Sequence, residues 1–206
     1  MRVILCHSGG LDSTVCMLDA LAAGHDVISL GFDYGQRARV ELTYARRQCE
    51  RYSVPRQTIH VRWRHPPRQM PHDRSIDDIR QKPSSGFLPS RNAIFLALAS
   101  AEAAGHSADE VWVGLNYRDS PGYPDCQPSF LNSFRHMLET ATNRPPTIHA
   151  PLLELTKPEI ATRARAHGLT PADVWSCYRP IRRKNREYLR CNKCDGCRVS
   201  NHAWST

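Results

Sequence analysis

The fold of this chain is decided by its first stretch, Val3-Ile4-Leu5-Cys6-His7-Ser8-Gly9-Gly10-Leu11-Asp12-Ser13-Thr14. Residues 3–6 form a short continuous apolar run, which is typical of a strand buried on both faces of a sheet. A glycine pair follows, and glycine allows the backbone to turn tightly. Apolar residues then recur at helical spacing over residues 15–22. The stretch therefore predicts a buried strand, a tight turn and a helix.

The same alternation continues along the chain. Further strands are predicted at residues 27–32, 57–61, 110–114 and 147–150. Further helices are predicted at residues 38–52, 92–105, 129–141 and 156–168, the last beginning with a Thr156–Glu159 capping box. This order predicts an α/β fold, a Rossmann-like parallel sheet with helices on both faces. Residues 64–86 are predicted to form a long loop, and the residues after Gly168 to be irregular.

The composition excludes several classes of protein. Of the 206 residues, 40% are hydrophobic and 23% charged, so the chain can bury a core and is not mainly disordered. No apolar run reaches the roughly 18 residues of a membrane span. Residues 1–7 are too short for the apolar core of a signal peptide. We therefore expect a cytoplasmic protein with no membrane partner, built as one α/β domain over residues 1–170 and a small segment over residues 171–206.

The formal charge of the chain is +8 at pH 7. Part of it is concentrated in a basic run near the C-terminus, at Arg179, Arg182, Arg183, Lys184, Arg186 and Arg190. A basic protein can bind nucleic acid, nucleotides or acidic small molecules, or can simply have a basic surface. We expect the basic run to form a solvated loop outside the catalytic site. The sequence leaves open whether the chain binds nucleic acid and whether it forms a homodimer.

The turn after the first strand has the chemistry of a phosphate-binding loop. Its glycines bring backbone N–H groups close to a ligand, and its hydroxyls and the helix N-terminus add donors and positive potential. The candidate residues are Ser8, Gly9, Gly10, Leu11, Asp12, Ser13 and Thr14. The loop is neither a Walker loop nor a dinucleotide-binding GxGxxG turn. The alternative is a tight strand–helix turn without a ligand.

The cysteines fall into two groups. Cys177, Cys191, Cys194 and Cys197 lie near the C-terminus, the last three at C-x2-C-x2-C spacing. Four thiolates form a closed tetrahedral site, which is the arrangement of structural zinc. A redox dithiol and an iron–sulfur cluster are the alternatives. The remaining cysteines are predicted buried thiols at Cys6, Cys16 and Cys49, whereas Cys126 lies in a loop rich in glycine and proline.

Further polar segments follow predicted strands or open a helix. They contain Tyr34 and Gln36, Arg91 and Asn92, then Asp119, Tyr123 and Asp125. In parallel sheets ligands collect at the carboxyl ends of the strands, so one cleft could bring these side chains together. Taken singly, each has an ordinary structural interpretation as a turn or surface residue.

Taken together, these segments resemble a known family. Ser-Gly-Gly-Leu-Asp-Ser at residues 8–13 resembles the pyrophosphate loop of the N-type ATP pyrophosphatases. The whole set resembles the QueC family of 7-cyano-7-deazaguanine synthases, and it covers nearly the whole chain in order. The matching segments are residues 8–14, 32–36, 91–92, 123–126, 155–157, 176–178 and 191–197. Asn192 departs from the family, which usually has a glycine there, and the basic link between Cys177 and Cys191 is longer than expected.

The resemblance implies a fold and a reaction. The fold would be that of the adenine nucleotide alpha hydrolases. The enzyme would adenylate 7-carboxy-7-deazaguanine with ATP and Mg²⁺, use ammonia to form an amide, and use a second ATP to form the nitrile, preQ0. Asp12, Ser13 and Lys157 would be catalytic, and Tyr34, Gln36 and Arg91 would help the loop to bind ATP.

The substrate and metal would involve other residues. Asn92 and Tyr123 would contact the substrate, and the cysteine cluster would hold structural zinc. From carboxylate chemistry, and not from the resemblance, we expect Asp119 or Asp125 to accept hydrogen bonds from the guanine-like edge of the substrate. The rival interpretations are another ATP pyrophosphatase such as a tRNA thiolase, a relative that supplies nucleic-acid modification, and a non-enzymatic zinc module that binds nucleic acid.

Overall fold

The centre of the protein is a five-stranded parallel sheet in the order β3-β2-β1-β4-β5. The computed structural model describes residues 1–62, 73–82, 87–118, 120–185 and 187–205. The strands of the sheet are β1 (Arg2–Cys6), β2 (Asp26–Asp33), β3 (Arg56–His60), β4 (Glu110–Val113) and β5 (Thr147–His149). The central strand β1 carries Val3, Ile4 and Leu5, all fully buried.

Helices cover both faces of the sheet. They are α1 (Leu11–Ala22), α2 (Val40–Arg51), α3 (Ile76–Gln81), α4 (Arg91–Gly105), α5 (Pro128–Ala141), α6 (Lys157–Ala166) and α7 (Asp195–Trp204). Val3 and Leu5 pack with α1 and α6, while Ile4 packs with α4 and α5 on the opposite face. This follows from the alternation of side chains along a strand. The predicted α/β fold with helices on both faces is confirmed.

The strand order places a crevice at the end of β1. From β1 the chain moves outward through β2 and β3, then returns to β4 on the other side of β1. Connections from adjacent strands therefore diverge above β1 and β4, and such a switch point is where open α/β sheets bind ligands. The phosphate loop candidate and the start of α1 lie at this point.

Local signals fix the beginning of α6 as predicted. The Thr156 amide donates to Glu159 Oε2 at 2.6 Å, and the Glu159 amide donates to Thr156 Oγ1 at 3.4 Å. This is the reciprocal capping box, which satisfies helix donors that would otherwise lack partners. The box places Lys157 in the first turn of the helix.

The expectation that the residues after Gly168 are irregular is wrong. A two-stranded antiparallel hairpin, β6 (Ile181–Arg182) and β7 (Tyr188–Leu189), is followed by the ten-residue helix α7. The sequence hides α7 because glycine, asparagine and aspartate are weak helix formers. Packing supplies the missing stability, since Ala203 is fully buried in the same core cluster as Ala161 and Ala164 of α6.

The predicted loop over residues 64–86 is wrong for residues 76–81, which form α3. The Asp78 amide donates to the Ser75 hydroxyl at 3.0 Å and so caps this helix. Residues 63–72 and 83–86 of the same region lie outside the described residues. Within the described parts of the chain, we find no helix with the length and hydropathy to cross a bilayer.

Candidate active site

A cavity of about 410 Å³ opens at the carboxyl ends of β1, β2 and β4. It is lined by most of the sequence-predicted site residues, namely Ser8, Gly10, Leu11, Asp12, Ser13, Tyr34, Gln36, Arg91, Asn92, Tyr123 and Lys157. Gly9, Thr14 and Asp125 are not in its lining, and Asp119 lies outside the described residues. The volume suits a small-molecule ligand.

Hydroxyl groups organise the loop between β1 and α1. The Ser8 and Ser13 hydroxyls are 3.1 Å apart, and the Gly10 amide donates to Ser8 Oγ at 3.3 Å. Gly10 is the N-cap of α1, and no described side chain caps this helix. The N-terminus of α1 therefore presents its donors and positive dipole end at the cavity, which suits an anionic ligand.

Gly9 allows the loop to approach α2 and the C-terminal segment. Its φ is +85°, and a Cβ there would lie 2.5 Å from the Glu41 carbonyl oxygen. The Trp175 amide donates to the Gly9 carbonyl at 2.9 Å. Thr14 Oγ1 donates to the Gly10 carbonyl at 2.7 Å, so this hydroxyl lies against the helix backbone.

A buried polar cluster beneath the loop was missed by sequence reasoning. Nδ1 of His7 lies 2.9 Å from the Ser29 hydroxyl, and its Nε2 lies 3.0 Å from Gln48 Oε1. Burial lowers the pKa of His7 to about 3, and the charge of Arg56 acts in the same direction. His7 is therefore neutral at pH 7. Gln48 also donates to the Asp173 carbonyl at 2.7 Å, which ties the cluster to the C-terminal segment.

Asp12 and Lys157 meet at the edge of the loop although they are 145 positions apart. Lys157 Nζ donates to Asp12 Oδ2, and both side chains are largely buried. The other oxygen, Asp12 Oδ1, is buried without a hydrogen-bond partner among the described residues. A cation and a carboxylate are thus held beside the N-terminus of α1, and one carboxylate oxygen has no hydrogen-bond partner among the described residues.

An aromatic wall forms one side of the cavity. The rings of Phe32 and Phe95 are stacked, with centroids 4.1 Å apart and planes 3° from parallel. Tyr34 packs against Phe95 at 5.5 Å and is within hydrogen-bonding reach of Arg91. A flat apolar wall beside a guanidinium suits an aromatic ring with polar substituents.

Glu41 is an acidic group in the same wall that sequence reasoning missed. Gln36 Nε2 donates to its Oε1 at 3.1 Å. Burial raises the pKa of Glu41 to about 7, and the Gln36 hydrogen bond and the charge of Arg91 oppose that rise without cancelling it.

The Tyr-Pro-Asp-Cys segment, residues 123–126, lies against the start of α4. The Asn92 amide donates to Asp125 Oδ2 at 3.4 Å, and Asn92 Nδ2 donates to the Asp125 carbonyl at 3.2 Å. Asp125 is buried behind the wall, so it orients Asn92 and does not itself face the cavity. Cys126 does line the cavity.

The C-terminal segment supplies a second wall. Trp175, Ser176, Tyr178, Asp195, Gly196 and Val199 all line the cavity. A Cβ at Gly196 would lie 2.0 Å from the Ser176 carbonyl oxygen. The helix α7 can therefore lie this close to the backbone of Ser176 only because residue 196 is glycine. The resemblance covers residues 176–178 and 191–197 of this wall, but the sequence assigned none of the wall's residues to the cavity.

The four predicted metal ligands converge beside this wall. The sulfurs of Cys177, Cys191, Cys194 and Cys197 all lie within 4.8 Å of one another, and those of Cys191 and Cys197 are 4.0 Å apart. Tetrahedral zinc with Zn–S bonds of about 2.3 Å requires sulfurs about 3.8 Å apart. The cluster can therefore hold a metal ion of this kind.

Backbone amides support the sulfur cluster. The Tyr178 amide donates to Cys194 Sγ at 3.4 Å, and the Cys191 amide donates to Cys177 Sγ at 3.2 Å. Asn192 has a φ of +58°, the left-handed conformation that favours glycine and that asparagine tolerates. This explains how asparagine can stand where the resembled family usually has glycine.

The basic run lies on a hairpin. Ile181, Tyr188 and Leu189 are exposed, as are Arg182 and Arg183. Arg190 is different, because its guanidinium donates to the carbonyls of Pro171 and Val174 and lies 5.7 Å from the Trp175 ring. Arg186 lies outside the described residues.

The sequence matches a family of known proteins. The family model described as "Queuosine biosynthesis protein QueC" matches residues 2–206. A "7-cyano-7-deazaguanine synthase 2" of Rhodopseudomonas palustris (strain HaA2) is 48% identical over 203 residues, covering 98% of this chain and 96% of that protein. A "7-cyano-7-deazaguanine synthase" of Novosphingobium aromaticivorans is 39% identical over 208 residues, covering 93% and 84%.

Solved structures share the fold at low identity. A U34-tRNA thiolase, NcsA of Methanococcus maripaludis with its 4Fe-4S cluster, has a TM-score of 0.55 and 16% identity, covering 82% of this chain and 58% of that one. A 4-thiouridine synthetase in complex with RNA and bound ATP has a TM-score of 0.55 and 15% identity, covering 100% and 53%. These likenesses confirm the predicted fold class.

Proposed function

The chain belongs to the QueC family of queuosine biosynthesis proteins, and from this membership we propose that it is a 7-cyano-7-deazaguanine synthase. Such an enzyme joins the carboxylate of 7-carboxy-7-deazaguanine to AMP and releases pyrophosphate. Ammonia then displaces AMP to give the amide. A second ATP adenylates the amide oxygen, and loss of AMP and a proton leaves the nitrile, preQ0.

The observation that carries the proposal is the single cavity shared by the loop, the Asp12–Lys157 pair, Arg91, Asn92 and Tyr123. Adenylation requires the α-phosphorus of ATP to be held in line with a carboxylate oxygen. The proposal is supported because the candidate phosphate-binding groups and the candidate substrate contacts line one continuous space. This is the arrangement that an adenylyl transfer needs.

The loop is proposed to bind the phosphates of ATP. The N-terminus of α1 and the Ser8 and Ser13 hydroxyls supply donors where pyrophosphate charge develops. Gly9 and Thr14 shape the loop from behind, because neither lines the cavity. Leu11 packs in the core beneath it. Tyr34, Gln36 and Arg91 form the adjoining wall and are proposed to position the nucleotide.

Lys157 and Asp12 are proposed to act at the reacting phosphate. Lys157 would stabilise negative charge on a phosphate oxygen, and Asp12 orients its ammonium group. Asp12 Oδ1, which has no hydrogen-bond partner among the described residues, fits a direct or water-mediated contact with Mg²⁺, which would neutralise phosphate charge when bound. Asn92 and Tyr123 are proposed to contact the substrate, with Asp125 holding Asn92 in place.

Residues 171–206 are proposed to be a zinc-binding segment that completes the active site. Cys177, Cys191, Cys194 and Cys197 would hold structural zinc, since four thiolates leave no position open for catalysis. The metal would fix Trp175, which precedes Cys177 by two residues, and Asp195, which follows Cys194 directly; both line the cavity.

The thiolase alternative finds less support in the cavity. Such chemistry needs a reactive thiolate near the phosphates. Cys6 and Cys126 line the cavity, but burial raises the pKa of each thiol to about 12. Both are therefore protonated at neutral pH.

The proposal is tested by incubating the purified protein with 7-carboxy-7-deazaguanine, ATP, Mg²⁺ and ammonium. We expect mass spectrometry to detect the amide and then the nitrile, and chromatography to detect AMP and pyrophosphate. Omitting ammonium should prevent both base products. ADP as the sole nucleotide product, or no consumption of the base, would contradict the proposal. Elemental analysis should find one zinc per chain.

A further inference from the structure

Asp195 is the first residue of α7 and lines the cavity. Only 3% of the surface of Asp195 is exposed. Nε and Nη2 of Arg74 donate to one of its oxygens, Oδ2, at 3.0 and 2.6 Å. The other oxygen, Oδ1, is buried and has no hydrogen-bond partner among the described residues.

A buried carboxylate oxygen without a hydrogen-bond partner is unusual in a residue that lines a cavity. Buried polar atoms are nearly always hydrogen-bonded, because leaving one unpaired is unfavourable. The Arg74 guanidinium balances the charge of Asp195 and fixes its orientation through two hydrogen bonds to a single oxygen. The remaining oxygen therefore lacks the N–H donor that a buried carboxylate oxygen ordinarily has, and none of the described residues supplies one.

Asp195 is linked to both proposed binding regions. Tyr123 of the Tyr-Pro-Asp-Cys segment is within hydrogen-bonding reach of Arg74. On the other side, Gly196 packs on the Ser176 carbonyl, and a Cβ at Gly10 would lie 3.4 Å from the neighbouring Trp175 carbonyl oxygen. The carboxylate thus belongs to the wall that joins the phosphate loop to the substrate segment.

The ligand chemistry follows from the proposed function, on which this step rests. A guanine-like ring presents two adjacent donors on one edge, the ring N1–H and the 2-amino group. Carboxylates accept hydrogen bonds from such donor edges of bases. We propose that Asp195 determines specificity by accepting an N–H from this edge through Oδ1, and that Arg74 is its positioning residue. Asp125, by contrast, is occupied with Asn92 and lies outside the cavity lining.

The test compares two substrates in the wild-type protein and in Asp195→Asn. The first substrate is 7-carboxy-7-deazaguanine, and the second is its 2-deamino analogue, which lacks one edge donor. For the wild-type protein we expect kcat/KM to be about 10- to 100-fold lower for the analogue, the usual loss when one good base contact is removed. In Asp195→Asn, the kcat/KM for the true substrate should fall by a similar factor, chiefly through KM, and the preference should largely disappear.

The matched control is Asp73→Asn. Asp73 pairs with Arg198 of α7 at 3.0 Å, so it also connects the segment before α3 to α7, but it does not line the cavity. This variant should keep the wild-type preference. If Asp195 merely fastened the two segments together, Asp195→Asn would slow both substrates equally and leave their ratio unchanged, and that result would overturn the inference.

A second variant covers the case in which Asp195→Asn loses zinc, since residue 195 adjoins Cys194. Arg74→Gln changes no residue of the cysteine segment and should also reduce the preference, because Asp195 loses its orientation. A wild-type protein that uses both substrates equally well would overturn the inference by itself. A wild-type protein that converts neither substrate would instead contradict the proposed function.

Discussion

The phosphate-loop wall and the C-terminal wall of the cavity are held in different ways. The phosphate-loop wall, residues 8–14, is organised within itself by contacts between near neighbours, such as Ser8 with Ser13 and Thr14 with Gly10. Its long-range contacts, from Lys157 to Asp12 and from Trp175 to Gly9, join it to its surroundings. The C-terminal wall, residues 175–178 and 195–203, is organised by contacts across 16 positions or more, such as Tyr178 with Cys194 and Arg74 with Asp195. A change in the first wall should affect chemistry more than folding, and a change in the second should affect both.

The largest effect is expected from removing a ligand of the sulfur cluster. Cys194→Ser should lose tightly bound zinc, soluble yield and turnover together. Structural zinc contributes on the order of 10 kcal/mol in small zinc domains, and α7 has little helix propensity of its own. Elemental analysis, yield and AMP release would be measured on the same preparation.

Cys49→Ser is the control for this variant. The Cys49 thiol is also buried, but it lies 3.6 Å from His7 and far along the chain from the cluster. It should keep its zinc. Full zinc content in Cys194→Ser would show that the second wall does not depend on metal in the way its geometry indicates.

The next largest effect is expected from Asp12→Ala. Turnover should fall by about 10²- to 10³-fold, which is typical when a group that acts on transition-state charge is removed. Asp12 is anchored by α1, which has its own core contacts, so the fold and the zinc content should not change. Single-turnover AMP release would measure the loss, and Ser13→Ala should show the same pattern.

Asp12→Asn separates charge from shape. The amide keeps an oxygen that can face Lys157 but loses the negative charge, so most of the loss should remain. Wild-type turnover in both Asp12 variants would remove this residue from the reaction, and loss of zinc in either would contradict the separation of the two walls.

A smaller effect concerns pH and stability at Glu41. Its pKa is raised by burial to about 7, above the usual value of 4.5, so the folded protein holds this proton more tightly than the unfolded chain. The resulting stabilisation is complete below about pH 4.5 and is lost as the pH rises through 7. Each pKa unit corresponds to about 1.4 kcal/mol, and partial exposure of the side chain reduces the total to about 1–3 kcal/mol.

Glu41→Gln should remove that pH dependence while keeping an oxygen for the Gln36 hydrogen bond. The difference in unfolding free energy between variant and wild type should therefore shift in favour of the variant between pH 5 and pH 8. Urea unfolding at several pH values would measure it. A difference that stays constant with pH would contradict the raised pKa.

The same contrast explains how much could be predicted from the sequence. Strands, helices and the phosphate loop follow from apolar runs, glycines and caps, all of which are local signals. Gly9 is an example, because a tight turn after an apolar strand already indicates its role. The capping box at Thr156 is another, and the structure has both the tight turn and the box.

The remainder depends on partners far along the chain. Nothing near Asp195 indicates that Arg74, 121 positions away, fixes its carboxylate. His7 meets Gln48 41 positions later, and no local pattern shows that the pair is buried beneath the loop. Helix α7 was missed because tertiary packing of Ala203 outweighs the weak helix propensity of its own sequence.

The smallest effect is expected in the basic run, where two kinds of arginine can be compared. Arg182 and Arg183 are exposed on the hairpin, so Arg182→Gln with Arg183→Gln should change stability by no more than about 0.5 kcal/mol and leave turnover within about twofold. Arg190→Gln should destabilise by about 1–3 kcal/mol, because it removes charged hydrogen bonds to the Pro171 and Val174 carbonyls and the contact with Trp175 in the cavity wall. Thermal unfolding and AMP release would be measured for both variants. If the hairpin variant lost turnover, the hairpin would have to be counted as part of the C-terminal wall. If the variant lost only its binding to polyanions at low salt, the hairpin would lie on the solvent side of the molecule.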